Sequence, residues 1–136
     1  MAFQIVTMGS RVSERTAELF AANKYQEYLH LHGLSVEMAE AMAEYVHKRI
    51  RTEWGFVDED GPTLAGLFRQ QYRSGRYSWG YPACPELEDN QRCAELLGAE
   101  ALGIECNEDT GYQFHPEQST AAIVFHHPRA KYFVAR

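Results

Sequence analysis

Residues 76–85, which read Arg-Tyr-Ser-Trp-Gly-Tyr-Pro-Ala-Cys-Pro, carry the side chains best suited to binding chemistry in this sequence. Arg76 presents a planar guanidinium that matches the shape of a carboxylate. The rings of Tyr77, Trp79 and Tyr81 offer faces on which an adenine ring or a cation can stack. These residue types within one short segment predict a wall that binds an aromatic metabolite carrying both positive and negative charge.

The backbone of this segment is expected to be stiff, because each of its two prolines fixes its own φ and pushes the preceding residue toward an extended conformation. Gly80 permits a positive φ or the close approach of another group. The peptide groups of Ala83 need partners where they are buried, and a small ligand can supply them. A rigid connector, with its aromatics in the core and its arginine paired to a surface carboxylate, explains the same features. The residue types alone leave both interpretations open.

The first two-thirds of the sequence is predicted to be helical. Apolar residues recur at steps of three and four, and capping residues mark the helix ends. In the second helix, the apolar side carries Met38, Met42 and Tyr45, and the opposite side carries His47 and Arg51. Four helices are predicted over residues 13–32, 35–55, 63–72 and 85–97.

After Gly98 the pattern changes to short apolar runs separated by turn residues, which is typical of strands. Short connections favour antiparallel pairing. The predicted fold class is therefore α+β, with helices followed by a twisted antiparallel sheet in a single domain over residues 1–136. The predicted strands cover residues 102–106, 112–115, 120–126 and 131–135.

Composition excludes several classes of function. The chain has 136 residues, of which 45% are hydrophobic and 24% charged, as in an ordinary globular domain. A net charge of −6 disfavours nucleic acid as a partner. The longest apolar run, residues 121–125, is too short to cross a membrane, and no basic stretch precedes the apolar N-terminal residues as in a signal peptide. We expect a cytoplasmic protein with no membrane partner.

Neither a metal centre nor a set of catalytic residues is expected. The three cysteines, Cys84, Cys93 and Cys106, are irregularly spaced and lack the Cys-x-x-Cys pattern of zinc sites. His126 and His127 would point to opposite faces of a strand. No nucleophile stands with a general base in a recognisable pattern.

Residues 76–85 resemble the Arg-x-x-x-Gly-Tyr-Pro-Ala-Cys-Pro signature of the S-adenosylmethionine-binding activation domain of cobalamin-dependent methionine synthase. Further stretches are similar to the central helix, the helix after the signature and the final strands of that family. They include Leu-His-Gly-Leu-Ser-Val at 31–36, Ala-Glu-Ala at 39–41, Glu-Leu-Leu-Gly at 95–98 and Lys-Tyr-Phe at 131–133.

The resemblance implies the fold and the function of that domain. Such a domain presents the methyl group of S-adenosylmethionine to inactive cobalamin while a flavodoxin-type donor supplies an electron. The sulfonium is already an activated methyl donor, so the domain contributes positioning. The chain would act as part of a methyltransferase, with cobalamin held by a partner module. The alternative is a standalone module that binds S-adenosylmethionine or docks a corrinoid protein without catalysis.

The resemblance also implies roles for single residues. Arg76 would hold the carboxylate of S-adenosylmethionine. Tyr132 would stack near the adenosyl group, unless it is an aromatic residue of the core or of a sheet edge. Glu40 matches an acidic residue that faces the cobalamin-binding module. The residues expected to frame the adenosyl part are Gly80, Tyr81, Pro82 and Ala83.

The chain departs from the family in two ways. Val36 and Gln70 stand where the family carries acidic residues. The family domain also extends further upstream, where it supplies an aspartate for the ligand's ammonium group. We therefore expect the chain to be the C-terminal portion of the domain and to bind S-adenosylmethionine weakly or not at all when alone. Glu40 and Glu44 are expected to face another module rather than to replace that aspartate.

Overall fold

The computed structural model describes residues 1–131, which contain a three-stranded antiparallel sheet. The strands are β1 (Ala2–Thr7), β2 (Gly75–Tyr77) and β3 (Ser119–Phe125). Their order is β1-β3-β2, so β3 pairs with both neighbours. The α+β class with an antiparallel sheet is confirmed, but its strands come from the beginning, middle and end of the described chain.

Within residues 1–131, four helices accompany the sheet, together with short 3-10 turns at Val57–Glu59 and Ala99–Leu102. The long helix α2 packs on β1 and β3, and α4 packs on the opposite face with Trp79. No helix within residues 1–131 is both long and apolar enough to cross a membrane. The helices are α1 (Ser10–Ala21), α2 (Tyr25–Glu53), α3 (Leu64–Phe68) and α4 (Asp89–Leu97).

The predicted break between the first two helices is wrong. The chain turns after Ala21, where Asn23 adopts a positive φ of 58° and the Lys24 N–H donates to the Leu19 carbonyl. Helix α2 then runs uninterrupted through Gly33. A glycine inside a helix costs only about 1 kcal/mol relative to alanine, which tertiary packing offsets.

The apolar side of α2 is not its buried side. Met38, Met42 and Tyr45 are exposed, whereas His47 and Arg51 are completely buried. The buried stripe repeats every fourth residue and begins with small side chains, which let the helix approach the sheet closely. Its members are Ser35, Ala39, Ala43, His47 and Arg51.

The strands differ from prediction as well. β1 was not predicted, although its side chains alternate between the two faces of the sheet. The predicted strands 102–106 and 112–115 are reduced to a single bridge between Glu105 and His115. The strand predicted at 120–126 is confirmed as β3. In the one predicted at 131–135, every residue but Lys131 lies outside the described residues.

The two shorter helices are confirmed with smaller extents. The Thr63 hydroxyl accepts a hydrogen bond from the Gly66 N–H at 3.1 Å and caps α3. Helix α4 begins at Asp89 rather than at residue 85. It ends, as predicted, at Gly98, which adopts the left-handed conformation with φ 64°.

The register of the sheet decides which side chains face α2. Val124 lies opposite both Ala2 and Arg76, so Arg76 projects from the same face of the sheet as Val124. Gln4, on this face too, donates to the Ala43 carbonyl of α2 at 3.1 Å. Arg76 is therefore directed toward α2.

Val124→Ala tests the packing of this face. Val124 is fully buried, and removing its methyl groups should lower the free energy of unfolding by about 1.5–3 kcal/mol. Urea unfolding followed by circular dichroism measures the change. Val36→Ala is the matched control, because Val36 is exposed on α2. Equal effects of the two substitutions would contradict this packing.

Candidate functional site

A cavity of about 360 Å³ lies between α2, β3 and residues 76–85. Its volume falls in the range of roughly 300–1,000 Å³ found for small-molecule sites. One part of its lining comes from Glu40 of α2, from Thr120 of β3 and from Gln70, which follows α3. The other part comes from the segment singled out by the sequence, through Arg76, Tyr77, Ser78, Tyr81, Pro82 and Ala83.

A tight turn places Tyr81, Pro82 and Ala83 on the cavity wall. The Gly80 N–H donates to the Cys84 carbonyl at 2.8 Å, and the Cys84 N–H donates to the Tyr81 carbonyl at 2.9 Å. These two bonds close the turn without using the N–H or C=O of Ala83, which is exposed. Among the described residues, 1–131, nothing occupies the peptide groups of Ala83, which are thus available to a molecule in the cavity.

Gly80 is required at the start of this turn. Its φ is 82°, a conformation that favours glycine, and an added Cβ would lie 3.0 Å from Leu87 Cδ1. The predicted role of Gly80 in shaping the segment therefore has a steric basis, although Gly80 itself is not among the lining residues of the cavity.

The three aromatic residues of the segment divide between core and cavity. Trp79 is buried and stacks on Phe3, with ring centroids 6.4 Å apart and an interplanar angle of 8°. The interpretation of the segment as a connector with core aromatics is correct for Trp79. Tyr77 and Tyr81 line the cavity instead.

Two carboxylates of α2 meet the guanidinium of Arg76. Arg76 Nη1 donates to Glu44 Oε2 at 3.1 Å, and Arg76 Nη2 donates to Glu40 Oε2 at 3.4 Å. The Glu40 side chain is 57% exposed and the Glu44 side chain 27%. The structure thus brings both glutamates to the segment that the sequence predicted to bind ligand, and Glu40 also remains accessible to solvent.

A second arginine, Arg51, lies beneath Arg76 and Glu44. No role for it near the site was predicted from the sequence. Arg51 is completely buried and makes a bidentate pair with Asp60, at 2.8 and 2.9 Å. Its Cζ lies 3.9 Å from the centroid of the Tyr72 ring, and the Tyr72 hydroxyl donates to Glu44 Oε2 at 3.3 Å. The repeat of four residues along α2 is the only sequence signal that pointed to this buried polar network.

His47 is an uncharged member of the same network. Its Nε2 lies 2.7 Å from the Ser74 hydroxyl, which itself donates to the Phe125 carbonyl, so the Nε2–H is assigned as the donor. Burial, followed by the charges of Arg51 and Arg76, lowers the pKa of His47 to about 3. His47 therefore adds no positive charge beneath Arg76 at neutral pH.

Metal ligands are not gathered in this region or elsewhere in residues 1–131, where no group of three His, Cys, Asp or Glu side chains is placed to hold an ion. The three cysteines are free thiols. Burial raises the pKa of Cys93 to about 11, which keeps that thiol protonated. Tyr132, the remaining predicted contact of the adenosyl group, lies outside the described residues.

Comparison with known proteins identifies the family. The sequence profile described as "Vitamin B12 dependent methionine synthase, activation domain" matches residues 1–136. The chain belongs to this family. The family expected from residues 76–85 is therefore confirmed over the whole sequence.

Relatives in two mycobacteria agree with this assignment. Methionine synthases of Mycobacterium leprae and Mycobacterium tuberculosis are 45% and 46% identical to the chain over 137 aligned positions. Each alignment covers 96% of this activation-domain chain and 11% of the relative. The chain thus spans about a tenth of the length of these enzymes.

A solved structure shows the same fold. The crystal structure of the MetH reactivation domain bound to AdoHcy matches with a TM-score of 0.87 and 29% sequence identity. The match covers 96% of this chain and 40% of the solved one. The helices and small antiparallel sheet described above are therefore the fold of a reactivation domain.

The buried histidine predicts a dependence of stability on pH. The unfolded chain protonates His47 near pH 6.5, whereas the folded chain resists protonation until about pH 3, so acid stabilises the unfolded state. The stability contributed by neutral His47 is present above about pH 6.5 and falls as the pH drops toward 3. One proton accounts for a slope of at most about 1.4 kcal/mol per pH unit.

His47→Gln should reduce this slope, because glutamine takes up no proton. Urea unfolding of both proteins at several pH values between 7 and 4 measures it. His127→Gln, at an exposed histidine, serves as the matched control. Parallel stability curves for the wild type and His47→Gln would show that His47 is not the group responsible.

Proposed function

We propose that this chain binds S-adenosylmethionine in the cavity at Arg76 and serves as the reactivation module of a cobalamin-dependent methionine synthase. The observation that carries the proposal is the meeting of a guanidinium and an exposed Tyr-Pro-Ala turn in one cavity of suitable size. The AdoHcy bound to the structurally similar reactivation domain supports it, since AdoHcy is what remains of S-adenosylmethionine after methyl transfer.

The two ends of the ligand would contact different parts of the cavity. Arg76 would bind the carboxylate, for which its fork of N–H groups is suited. The adenosyl part would lie against Tyr81 and Pro82, with the peptide groups of Ala83 as hydrogen-bond partners. Tyr132 is proposed as a further contact of the adenosyl group.

The chain's own contribution to methyl transfer would be positioning. Cobalamin, held by its own module, would supply the reaction centre that accepts the methyl group. The cavity would fix the carboxylate and adenosyl ends, which directs the sulfonium methyl toward the opening. Placing two reactants in this way lowers the barrier without an acid, base or nucleophile from the chain.

The proposed partners follow from this role. The cobalamin-binding module would dock over the cavity, and the exposed carboxylate of Glu40 at its rim is the proposed contact. A flavodoxin-type protein would supply the electron. The whole enzyme would be a cytoplasmic methyltransferase of methionine biosynthesis.

We also propose that the chain is the C-terminal portion of the activation domain and that a neighbouring segment completes the site. Tyr81, Pro82 and Ala83 are all exposed, so an adenosyl group would be covered on one side only. Ligand sites commonly bury about 70–90% of a small molecule. The solved reactivation domain, of which this chain covers 40%, contains additional chain that could provide such a cover.

Arg76→Ala tests the carboxylate contact. Losing a charge-assisted hydrogen-bonded pair should cost about 1.5–3 kcal/mol of binding free energy, or roughly a tenfold to hundredfold rise in Kd. Arg76→Lys should show a smaller loss, since a point charge replaces a bidentate fork. Calorimetric titration with S-adenosylmethionine measures both, and thermal unfolding of each variant controls for folding. Wild-type affinity in Arg76→Ala would exclude the carboxylate role.

The incomplete cover predicts weak or no binding of S-adenosylmethionine by the isolated chain. A longer protein that carries the upstream part of the activation domain should bind S-adenosylmethionine more tightly in the same titration. The gain should disappear when the upstream aspartate expected to pair with the ligand's ammonium is changed to alanine. Equal affinities of the short and long proteins would show that residues 1–136 already form a complete site.

A further inference from the structure

The two glutamates at Arg76 are held to very different degrees. Glu44 is mostly buried and accepts from both Arg76 and the Tyr72 hydroxyl, while its second oxygen lies 3.9 Å from Arg51 Nη2. Glu40 is largely exposed and reaches Arg76 Nη2 at the longer distance of 3.4 Å. Moving Glu44 would break several contacts in a region shielded from water, whereas moving Glu40 would break one weak, solvated contact.

The charges around Arg76 also distinguish the two glutamates. The bidentate pair with Asp60 neutralises Arg51, and Glu44 is then the fixed counter-charge of Arg76. The carboxylate of Glu40 is a further negative charge at the same guanidinium. A ligand carboxylate arriving at Arg76 would therefore meet two carboxylates, one fixed and one mobile.

We propose that Glu44 is the positioning residue that fixes Arg76, and that Glu40 is a displaceable partner whose place on Arg76 Nη2 the ligand's carboxylate takes. This inference rests on the proposed function and deepens it. Glu44 acts through Arg76 and does not need to touch the ligand.

Once displaced, the Glu40 carboxylate gives the site a preference for ligands that carry an ammonium group. Once it leaves Arg76, Glu40 remains on the cavity lining beside the amino-acid end of the ligand. There it repels a ligand that carries only a carboxylate and attracts one that carries an ammonium as well. Glu40 thus selects an amino-acid zwitterion over a simple acid.

Three probes separate these roles by NMR titration of the full chain. S-adenosylhomocysteine carries the zwitterion, its deamino analogue carries the carboxylate alone, and 5′-methylthioadenosine lacks the amino-acid end. The variants are Glu44→Gln and Glu40→Gln, which make the same change one helical turn apart. Glu37→Gln, at an exposed position of the same helix, is the control that should match wild type.

Glu44→Gln should weaken binding of S-adenosylhomocysteine about tenfold, because Arg76 loses its fixed orientation, while 5′-methylthioadenosine binds as before. Glu40→Gln should strengthen binding of the deamino analogue about threefold, since a repelling surface charge is removed. Equal weakening of all three probes by Glu44→Gln would reveal general damage and overturn the positioning role. Unchanged or weaker binding of the deamino analogue to Glu40→Gln would overturn the displacement.

The side-chain NMR signals of Arg76 give a readout that needs no ligand. A fixed guanidinium gives resolved Nη hydrogen signals, which should persist in Glu40→Gln and average in Glu44→Gln. Resolved signals in Glu44→Gln would contradict the positioning role. If wild type binds none of the three probes, the titrations are repeated on the longer protein that carries the upstream part of the activation domain. Absence of binding there as well would overturn the proposed function together with the displacement of Glu40, and the Arg76 signals still decide whether Glu44 fixes Arg76.

Discussion

The ion pair between Arg76 and Glu44 joins the sheet to the long helix at the cavity, and the arrangement of the site depends on it. The antiparallel register of β2 and β3 places Arg76 on the face of the sheet that α2 covers. The buried pair of Arg51 and Asp60, with the Tyr72 ring against it, supports Glu44 from below. A guanidinium held in this way is already oriented when a ligand arrives, which reduces the ordering cost of binding.

Close approach of α2 to the sheet makes this pair possible. The stripe from Ser35 through Ala39 and Ala43 offers small side chains, so the helix backbone can lie near β1 and β3. The same stripe continues into His47 and Arg51, and burying them requires partners for their polar groups. Ser74 supplies the partner of His47 Nε2, and Asp60 supplies the partners of Arg51 Nε and Nη2. The same face of α2 therefore both packs the core and positions the residues of the site.

Local sequence patterns predicted the structural features that depend on only a few adjacent residues. Gly98 ends α4 and the Tyr-Pro-Ala turn lines a cavity, each because a few adjacent residues restrict the backbone. The buried face of α2 could not be predicted from apolarity, because its larger members are charged or polar and its exposed face carries methionines. Glu44 and Arg76 are 32 residues apart, and only the tertiary structure shows that they meet. β1 was missed because its pairing with β3 is also long-range.

The cavity at Arg76 is proposed to receive the amino-acid and adenosyl ends of one ligand. The most direct test is a two-dimensional NMR titration of the chain with S-adenosylhomocysteine, which maps the perturbed signals on the structure. Binding in this cavity should produce saturable shifts of the Arg76 side chain and of the Tyr81 and Ala83 amides. Shifts confined to the separate groove lined by Phe3, Val46 and Leu97, with Arg76 unaffected, would contradict it.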